Sequence, residues 1–340
     1  KELYKNKKNM KKKFLTFKGF VEKRQKPKNL KQEDIYLFEH EFEKKINNSY
    51  VFLEKNLLIL NKNIFNLKKL KLYFSQTYMN RPTLKNLIKL IIQYMYLIRQ
   101  PKEKLDSGVW IINNKSENYF HWMTESLTRV LSFKEINQES VILLPELLNK
   151  YEFVSKTLDS LGAEYKFYNN DYIYNIKNLF LTSHTAPAGN YNSEIIRLLH
   201  SNLNKALSQP QKKRLWLSRK YSGRRILLNE ELIIPILEKF NIEIFYPEKH
   251  SYSEQVDNYR KAEFIGGIHG AALTNMLYME KNSNVLELRD ANDYHNNCYY
   301  SLASSLENNF YYLLCTSDNE GNSTVNYDDL ENLLGVIFRS

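Results

Sequence analysis

The sequence predicts an α/β protein made of two parallel-sheet domains facing each other across a cleft. Three observations predict it. From about residue 105 onward, short apolar runs alternate with stretches of helical pattern. The alternation falls into two series, broken near 205–213 by "SQPQKK". At 340 residues and 43% hydrophobic content, the chain is long enough to build two cores. Strands that alternate with helices pair in parallel with helices on both faces, so each series reads as a Rossmann-like domain, with ligands at the carboxyl ends of its strands.

Residues 1–105 mix lysine, aromatic and short apolar pieces, and "SYVFLEKNLLILNKNIFNL" reads as strands joined by turns. "VWII" is the first strand of the alternating region. "SENYFHWMTESLTRVLSF" follows as a helix, with Ser116 or Asn118 at its N-cap. Next come strand "SVILLP", helix "ELLNKYEFVSKTLDSLG" closed by Gly162, strand "AEYKFY" and the long helix "NSEIIRLLHSNLNKALSQ". The second series runs through strand "RLWLSR", helix "NEELIIPILEKF", strand "IEIFYP", helix "YSEQVDNYRKA", strand "EFIGG", helix "AALTNMLYM" and strand "NVLELR", and ends in "NCYYSLASSLE" and "NFYYLL". Domain bounds of 1–105, 106–208 and 209–340 follow.

The net charge of +11 is local: residues 1–100 hold 24 Lys and Arg against 8 Asp and Glu. Runs such as "KNKKNMKKKF" and "LKKLKLYF" place lysine among bulky apolar residues, a pattern suited to an anionic membrane surface or an anionic ligand. The alternative is the solvated face of a chain rich in Lys and Asn. "LIKLIIQYMYLI" at 87–98 is shorter than the roughly 18 residues of a membrane span and carries Lys89, so it reads as a helix against a core or an interface. Two cysteines, Cys298 and Cys315, support neither a disulfide framework nor a cysteine zinc site, and a reducing cytoplasm is the expected compartment. The sequence opens on Lys1 rather than methionine, so the natural start is expected upstream.

Four segments carry chemistry. In "GGIHGAALTN", Gly266, Gly267 and Gly270 sit with His269 where a strand turns into a helix, and such a junction turns free N–H groups outward. A tight turn without a ligand is the alternative. His121 and Glu125 lie four apart on one helix face, and a carboxylate beside an imidazole is what a general base requires. The alternative is a surface pair. Asn118 caps that helix or holds a hydroxyl. "RLWLSRKYSGRRILLNEEL" gathers Arg214, Arg219, Arg224 and Arg225 where a strand ends and a helix begins, as a diphosphate site would. Glu254 and Gln255 open a helix, where a carboxylate is a cap. Glu287 interrupts the apolar strand "NVLEL", which favours a site role such as binding a ribose diol.

In order, "NYFHWMTESLTRV", "LWLSRKYSGRRILLNEEL", "SEQVDNYRKAEFIGGIHGAALTNMLYM", "NVLEL" and "NCYYSLASSLENNFYYL" resemble glycosyltransferase family 61 over residues 107–315. The resemblance implies an inverting enzyme of the two-Rossmann GT-B architecture with a nucleotide-sugar donor, UDP-linked in several relatives, held mainly by the C-terminal domain. Residues 106–208, with 1–105 attached, then form the acceptor domain. His121 and Glu125 become the catalytic pair, either one the base, and Asn118 an acceptor-binding residue. Arg219, Arg225, Gly267, His269, Gly270, Ala271, Ala272, Asn275 and Glu287 become the donor-binding set. Thr128 stands where relatives often have proline.

No D-x-D pair occurs, so no metal ion and no other cofactor is expected. Bacterial relatives imply a surface-glycan acceptor such as lipopolysaccharide or capsule, with the enzyme peripheral on the inner face of the plasma membrane and no nucleic-acid partner. A non-catalytic polyanion-binding protein, using the basic N-terminal third, is the competing class.

Overall fold

The computed structural model describes residues 12–66, 68–69, 71–77, 83, 88, 92, 95, 102–187, 189–205, 212–293 and 295–339. In chain order the strands are β1 (Lys12–Phe17), β2 (Val21–Lys23), β3 (Glu43–Lys45), β4 (Ser49–Leu60), β5 (Asn63–Asn66), β6 (Lys71–Leu72), β7 (Lys102–Trp110), β8 (Ile142–Pro145), β9 (Tyr165–Tyr168), β10 (Ile173–Thr182), β11 (Lys213–Leu217), β12 (Glu243–Phe245), β13 (Ala262–Ile268), β14 (Asn284–Asp290), β15 (Asn309–Ser317) and β16 (Ser323–Thr324). They divide between two α/β units: Lys1–Phe20 with Ile46–Ala188, and Val21–Lys45 with Gly189–Ser340.

In the first unit the sheet order is β6-β5-β4-β10-β7-β8-β9, with β1 also paired to β4. β10, β7, β8 and β9 run parallel, and β4 lies antiparallel to β10. β10 is the hinge of this mixed sheet, yet the sequence reading assigned no strand there. Asn175, Lys177 and Asn178 break its apolar run, although Ile176, Leu179 and Leu181 are buried. β4 and β5 form the expected hairpin, with Leu60 opposite Asn63 and Asn61 at a φ of +51° in the left-handed region that a tight two-residue turn requires. The basic first third thus supplies the antiparallel flank of a sheet. Most of 87–98 and the lysine-rich residues 1–11 lie outside the described residues; Ile88, Ile92 and Met95 are described and exposed. Among the described residues no helix is long and apolar enough to cross a membrane.

In the second unit the order is β12-β11-β13-β14-β15-β16, parallel except for β16 at the edge. Counted within the unit, its first five strands run 2-1-3-4-5, a doubly wound order whose direction reverses between β11 and β13. Trp216, Phe264, Leu286 and Tyr311 pack with Leu330, Leu334 and Ile337 of the C-terminal helix Tyr327–Arg339, an element absent from the sequence reading. The segment after "GGIHG" is a 3₁₀-helix, Ala271–Tyr278, rather than an α-helix.

The boundaries also differ from the reading of 208/209. The helix Ser193–Leu203, capped by Asn192, belongs to the second unit. His200 Nε2 sits 2.9 Å from the Met279 carbonyl, and Asn204 Nδ2 donates to the Leu277 carbonyl at 2.9 Å.

Residues 21–45 join the same unit rather than the first, to which the sequence reading attached all of 1–105. β2 and β3 pair as a ribbon, and Arg24, completely buried, forms an ion pair with Glu41 and donates to the Glu41 carbonyl at 3.0 Å. Lys28 N donates to Phe310 O at 2.8 Å, and Asn29 exchanges bonds with both backbone groups of Tyr312. In the helix Ile35–Phe42, Phe38 lies edge-on to Tyr300 at 5.3 Å and tilted against Tyr312 at 4.8 Å. Glu41→Ala leaves the Arg24 guanidinium buried and uncompensated, so the expected cost is about 3–5 kcal/mol. Urea denaturation monitored in the second unit checks it; a loss no larger than that of a surface substitution refutes the assignment.

Candidate functional site

Each unit carries one centre built on a histidine–carboxylate pair. In the first, β7 ends at Trp110 and the chain turns at Asn113. The Asn113 backbone N–H donates to Ser116 Oγ at 2.9 Å, and Ser116 Oγ meets Ser126 Oγ at 2.9 Å. Asn118 accepts from Phe120 N at 3.0 Å, so the cap reading of Asn118 is the one realised. The helix begun at Tyr119–His121 widens to a π turn, Trp122–Ser126, before resuming as α at Leu127–Lys134. Single π turns recur at functional sites because they re-aim side chains.

His121 Nδ1 and Glu125 Oε1 stand 2.9 Å apart across this turn. Glu125 is only 2% exposed, and its other oxygen accepts from Asn113 Nδ2 at 2.8 Å. This is no surface pair. With the carboxylate accepting from Nδ1–H, Nε2 is the nitrogen left with a lone pair, and the His121 side chain keeps 16% exposure.

Arg129, one turn beyond Glu125, is fully buried, and sequence reasoning missed it. It donates to Thr182 Oγ1 at 2.7 Å, to Ile112 O at 3.0 Å, to Gln76 O at 3.0 Å and to Thr182 O at 2.9 Å. Burial draws its pKa down to about 9 while the Glu125 charge opposes the shift. At neutral pH the guanidinium is therefore charged and offsets the buried carboxylate. Its signal in the sequence was an arginine inside an otherwise apolar helix. Thr128 donates to the Glu125 carbonyl at 2.8 Å and accepts from Thr185 at 2.7 Å, bonds a proline there would lack.

The second centre lies at the reversal point between β11 and β13. β11 ends at Leu217, two residues before Arg219, and β13 ends at Ile268, just before His269. Arg219 Nε donates to Arg225 O at 3.0 Å and its NH2 to Arg224 O at 3.2 Å, so the turn 219–225 wraps its guanidinium. Burial first, then Arg225, lower the Arg219 pKa from the usual arginine value. Arg225 is at a φ of +52°. A Cβ on Gly270 would overlap the Arg219 guanidinium, 3.1 Å from Cζ, so only glycine leaves that cation in place. The Gly270 φ of 178° is ordinary extended backbone, and the requirement is one of room.

His269 Nδ1 is hydrogen-bonded to Glu287 Oε1, and Glu287 is completely buried. The second Glu287 oxygen is buried with no hydrogen-bond partner among the described residues. Glu287 therefore orients His269 instead of presenting itself to a ribose diol, as the sequence reading had it. On the other side of the ring, Asn296 Nδ2 lies 2.9 Å from His269 Nε2, and Tyr299 stands edge-on at 4.8 Å. Burial pushes the Tyr299 phenol well above its usual range, so it stays neutral.

Several predicted residues fall elsewhere. Arg214 is the second residue of β11, and its Nε donates to Glu263 Oε1 at 2.8 Å over the Phe338 ring, at the strand's opposite end from Arg219. Three strand rises put about 10 Å between Arg214 and the end of β11 at Leu217, with Arg219 beyond it. Asn275 is buried and donates to Ala272 O at 3.0 Å, so it braces the 3₁₀-helix. Gly266 and Gly267 are needed for packing: a Cβ at 267 would come within 2.8 Å of Leu217 O, and one at 266 within 3.2 Å of Trp216 Cε3. Ala271 and Ala272 open the helix, where the first N–H groups have no intrahelical partner. Glu254 forms a capping box with Ser251. Among the described residues no group of three His, Cys, Asp or Glu side chains stands together as a metal site. Asn113, Arg129, Asn296 and Tyr299 went unread.

Two α/β units, the second doubly wound with a cation and a histidine at its reversal point, define a Rossmann-like protein. Residues 119–286 match the family described as Glycosyltransferase 61. Over 90 residues the chain is 30% identical to the EGF domain-specific O-linked N-acetylglucosamine transferase of Drosophila melanogaster; the match covers 26% of this chain and 17% of that protein. Over residues 119–286 the chain is similar to glycosyltransferases of family 61.

Proposed function

We propose that the protein is an inverting glycosyltransferase of the GT-B class that moves a sugar from a nucleotide-sugar donor to a glycan hydroxyl. The observation that carries this reading is the position of Arg219 and His269 at the reversal point of the parallel sheet, where α/β proteins hold phosphate-bearing ligands. Arg219 and Arg225 neutralise the donor's diphosphate, and His269, oriented by Glu287, donates to it. The N–H groups of Ala271 and Ala272, at the start of the 3₁₀-helix, add to the anion site.

The base is His121 rather than Glu125, because both carboxylate oxygens are already bonded and buried. Nε2 takes the proton of the acceptor hydroxyl as its oxygen bonds to the anomeric carbon. The bond from that carbon to the phosphate oxygen breaks in the same step, and its electron pair leaves with the nucleoside diphosphate. One displacement inverts the anomeric centre. The Glu125 carboxylate stabilises the imidazolium that forms, and the buried Arg129 guanidinium lies close enough to feel its charge. UDP is the first nucleotide to test. The relative's name makes an activated N-acetylglucosamine the first sugar, and a surface glycan such as lipopolysaccharide or capsule is the proposed acceptor.

Thermal unfolding with a panel of nucleoside diphosphates tests the reading: protection by UDP is expected, unchanged by excess chelator, since fixed guanidiniums take the place of a divalent cation. No protection by any nucleotide refutes the donor site, and protection that vanishes with chelator and returns with manganese refutes the cationic arrangement.

A further inference from the structure

The side chain on His269 Nε2 comes from a turn that the N-terminal segment ties down. Glu287 and Arg289 are two apart on β14, so their side chains share one face of the sheet. Glu287 on that face holds His269. Arg289, buried beside it, lies 4.9 Å over the Phe38 ring and donates to Asn297 Oδ1 at 2.7 Å and to Asp293 O at 2.6 Å. Asn297 is itself buried, and its Nδ2 donates to the Leu37 carbonyl at 2.7 Å and lies 3.3 Å from His40 Nε2. The next residue back is Asn296, whose amide meets His269. A continuous chain of contacts thus runs from the helix Ile35–Phe42 through Asn297 to Asn296 and His269, more than two hundred residues away in sequence.

We propose that residues 24–42 serve the donor centre as a positioning element: through Leu37 and His40 they lock Asn297, and Asn297 sets Asn296 against His269 Nε2. Asn296 and Asn297 are positioning residues for the reaction proposed above, on which this inference rests. The geometry has a chemical content. An amide N–H donated to Nε2 requires the proton of a neutral ring to be on Nδ1, where the Glu287 carboxylate accepts it, so the two contacts select one tautomer. For Nε2–H to donate to a ligand oxygen instead, Asn296 must withdraw or turn its amide over. Among the described residues the ring meets Glu287 from β14, Asn296, and Tyr299 near the start of the helix Cys298–Ser305.

The arrangement is tested on the ligand-free full chain, so failure of nucleotide binding leaves this result readable. At one fixed pH the imidazole nitrogens of the histidines are observed by ¹⁵N NMR, with the His269 signals assigned by their loss in His269→Gln. Asn296→Ala is expected to move the Nε2 resonance downfield, because a hydrogen-bonded acceptor nitrogen becomes free. Asn297→Ala, which leaves Asn296 in place, is expected to move it the same way, and the double variant no further than either alone, as for contacts on one path. His40→Ala removes a partly exposed ring and one of the two contacts to Asn297, and a smaller shift in the same direction is expected. It also decides the matter should Asn297→Ala fail to fold. An Nε2 resonance that moves in Asn296→Ala but stays at its wild-type position in the folded Asn297→Ala and His40→Ala proteins overturns the positioning role. No movement in Asn296→Ala overturns the contact itself.

Discussion

His121→Ala is expected to lower turnover by about 10²–10⁴-fold, the usual contribution of a positioned general base, while nucleotide affinity stays at its wild-type value. The split is expected because His121 belongs to the first unit and the proposed nucleotide-binding groups to the second. Glu125→Gln is predicted to cost turnover too, for a different reason. The amide keeps the shape and can accept from Nδ1, but it removes the charge that stabilises the imidazolium and leaves the Arg129 guanidinium without its counter-charge. Reduced stability should therefore accompany the Glu125 variant and not the His121 one. Steady-state kinetics with saturating donor, beside a thermal melt of each variant, separates them. Near wild-type turnover in His121→Ala moves the base to another residue.

Arg219→Lys and Gly270→Ala should fail in the same way, weakening nucleotide binding by about 10- to 100-fold, although one keeps the charge and the other is far milder in size. The magnitude is that of losing charge-assisted hydrogen bonds, about 1.5–3 kcal/mol. An ammonium cannot reproduce the guanidinium fork that the carbonyls of Arg224 and Arg225 hold in place. A methyl group at 270 occupies the space of that fork and displaces it without touching the backbone φ. Calorimetric titration of UDP into each variant measures the loss. Wild-type affinity in Gly270→Ala would show that the guanidinium is not needed where it sits.

The second unit was largely legible in the sequence because its strands are buried on both faces and read as near-continuous apolar runs between helical patterns. β10 was not, since its polar middle residues, Asn175, Lys177 and Asn178, mimic a loop while its pairing to β4 and β7 is set by distant residues. His121, Glu125, Arg219 and His269 were readable from local spacing. Their supports were not. Arg129 acts through carbonyls of residues 76, 112 and 182, and Asn296 is one polar residue in a polar loop until β14 and Asn297 place it. Arg214 shows the converse error: it is near Arg219 in the text, yet a strand carries the two to opposite ends. The glycines of "GGIHG" stood out in the sequence, but two of the three answer to neighbouring protein atoms at Leu217 and at Phe264 and Trp216.

The placement of residues 21–45 in the second unit sets a timetable for biogenesis. The Asp34–Tyr312 hydrogen bond joins residues 278 apart, and Lys28 meets Phe310. At a ribosomal rate of about 5–20 residues per second, the strap emerges roughly 15–55 s before the strand it must join. During that interval the first unit's own segments are synthesised, while Leu37, Phe38 and the Arg24–Glu41 pair have nothing to bury against. The second unit therefore closes only after its last strands have left the ribosome.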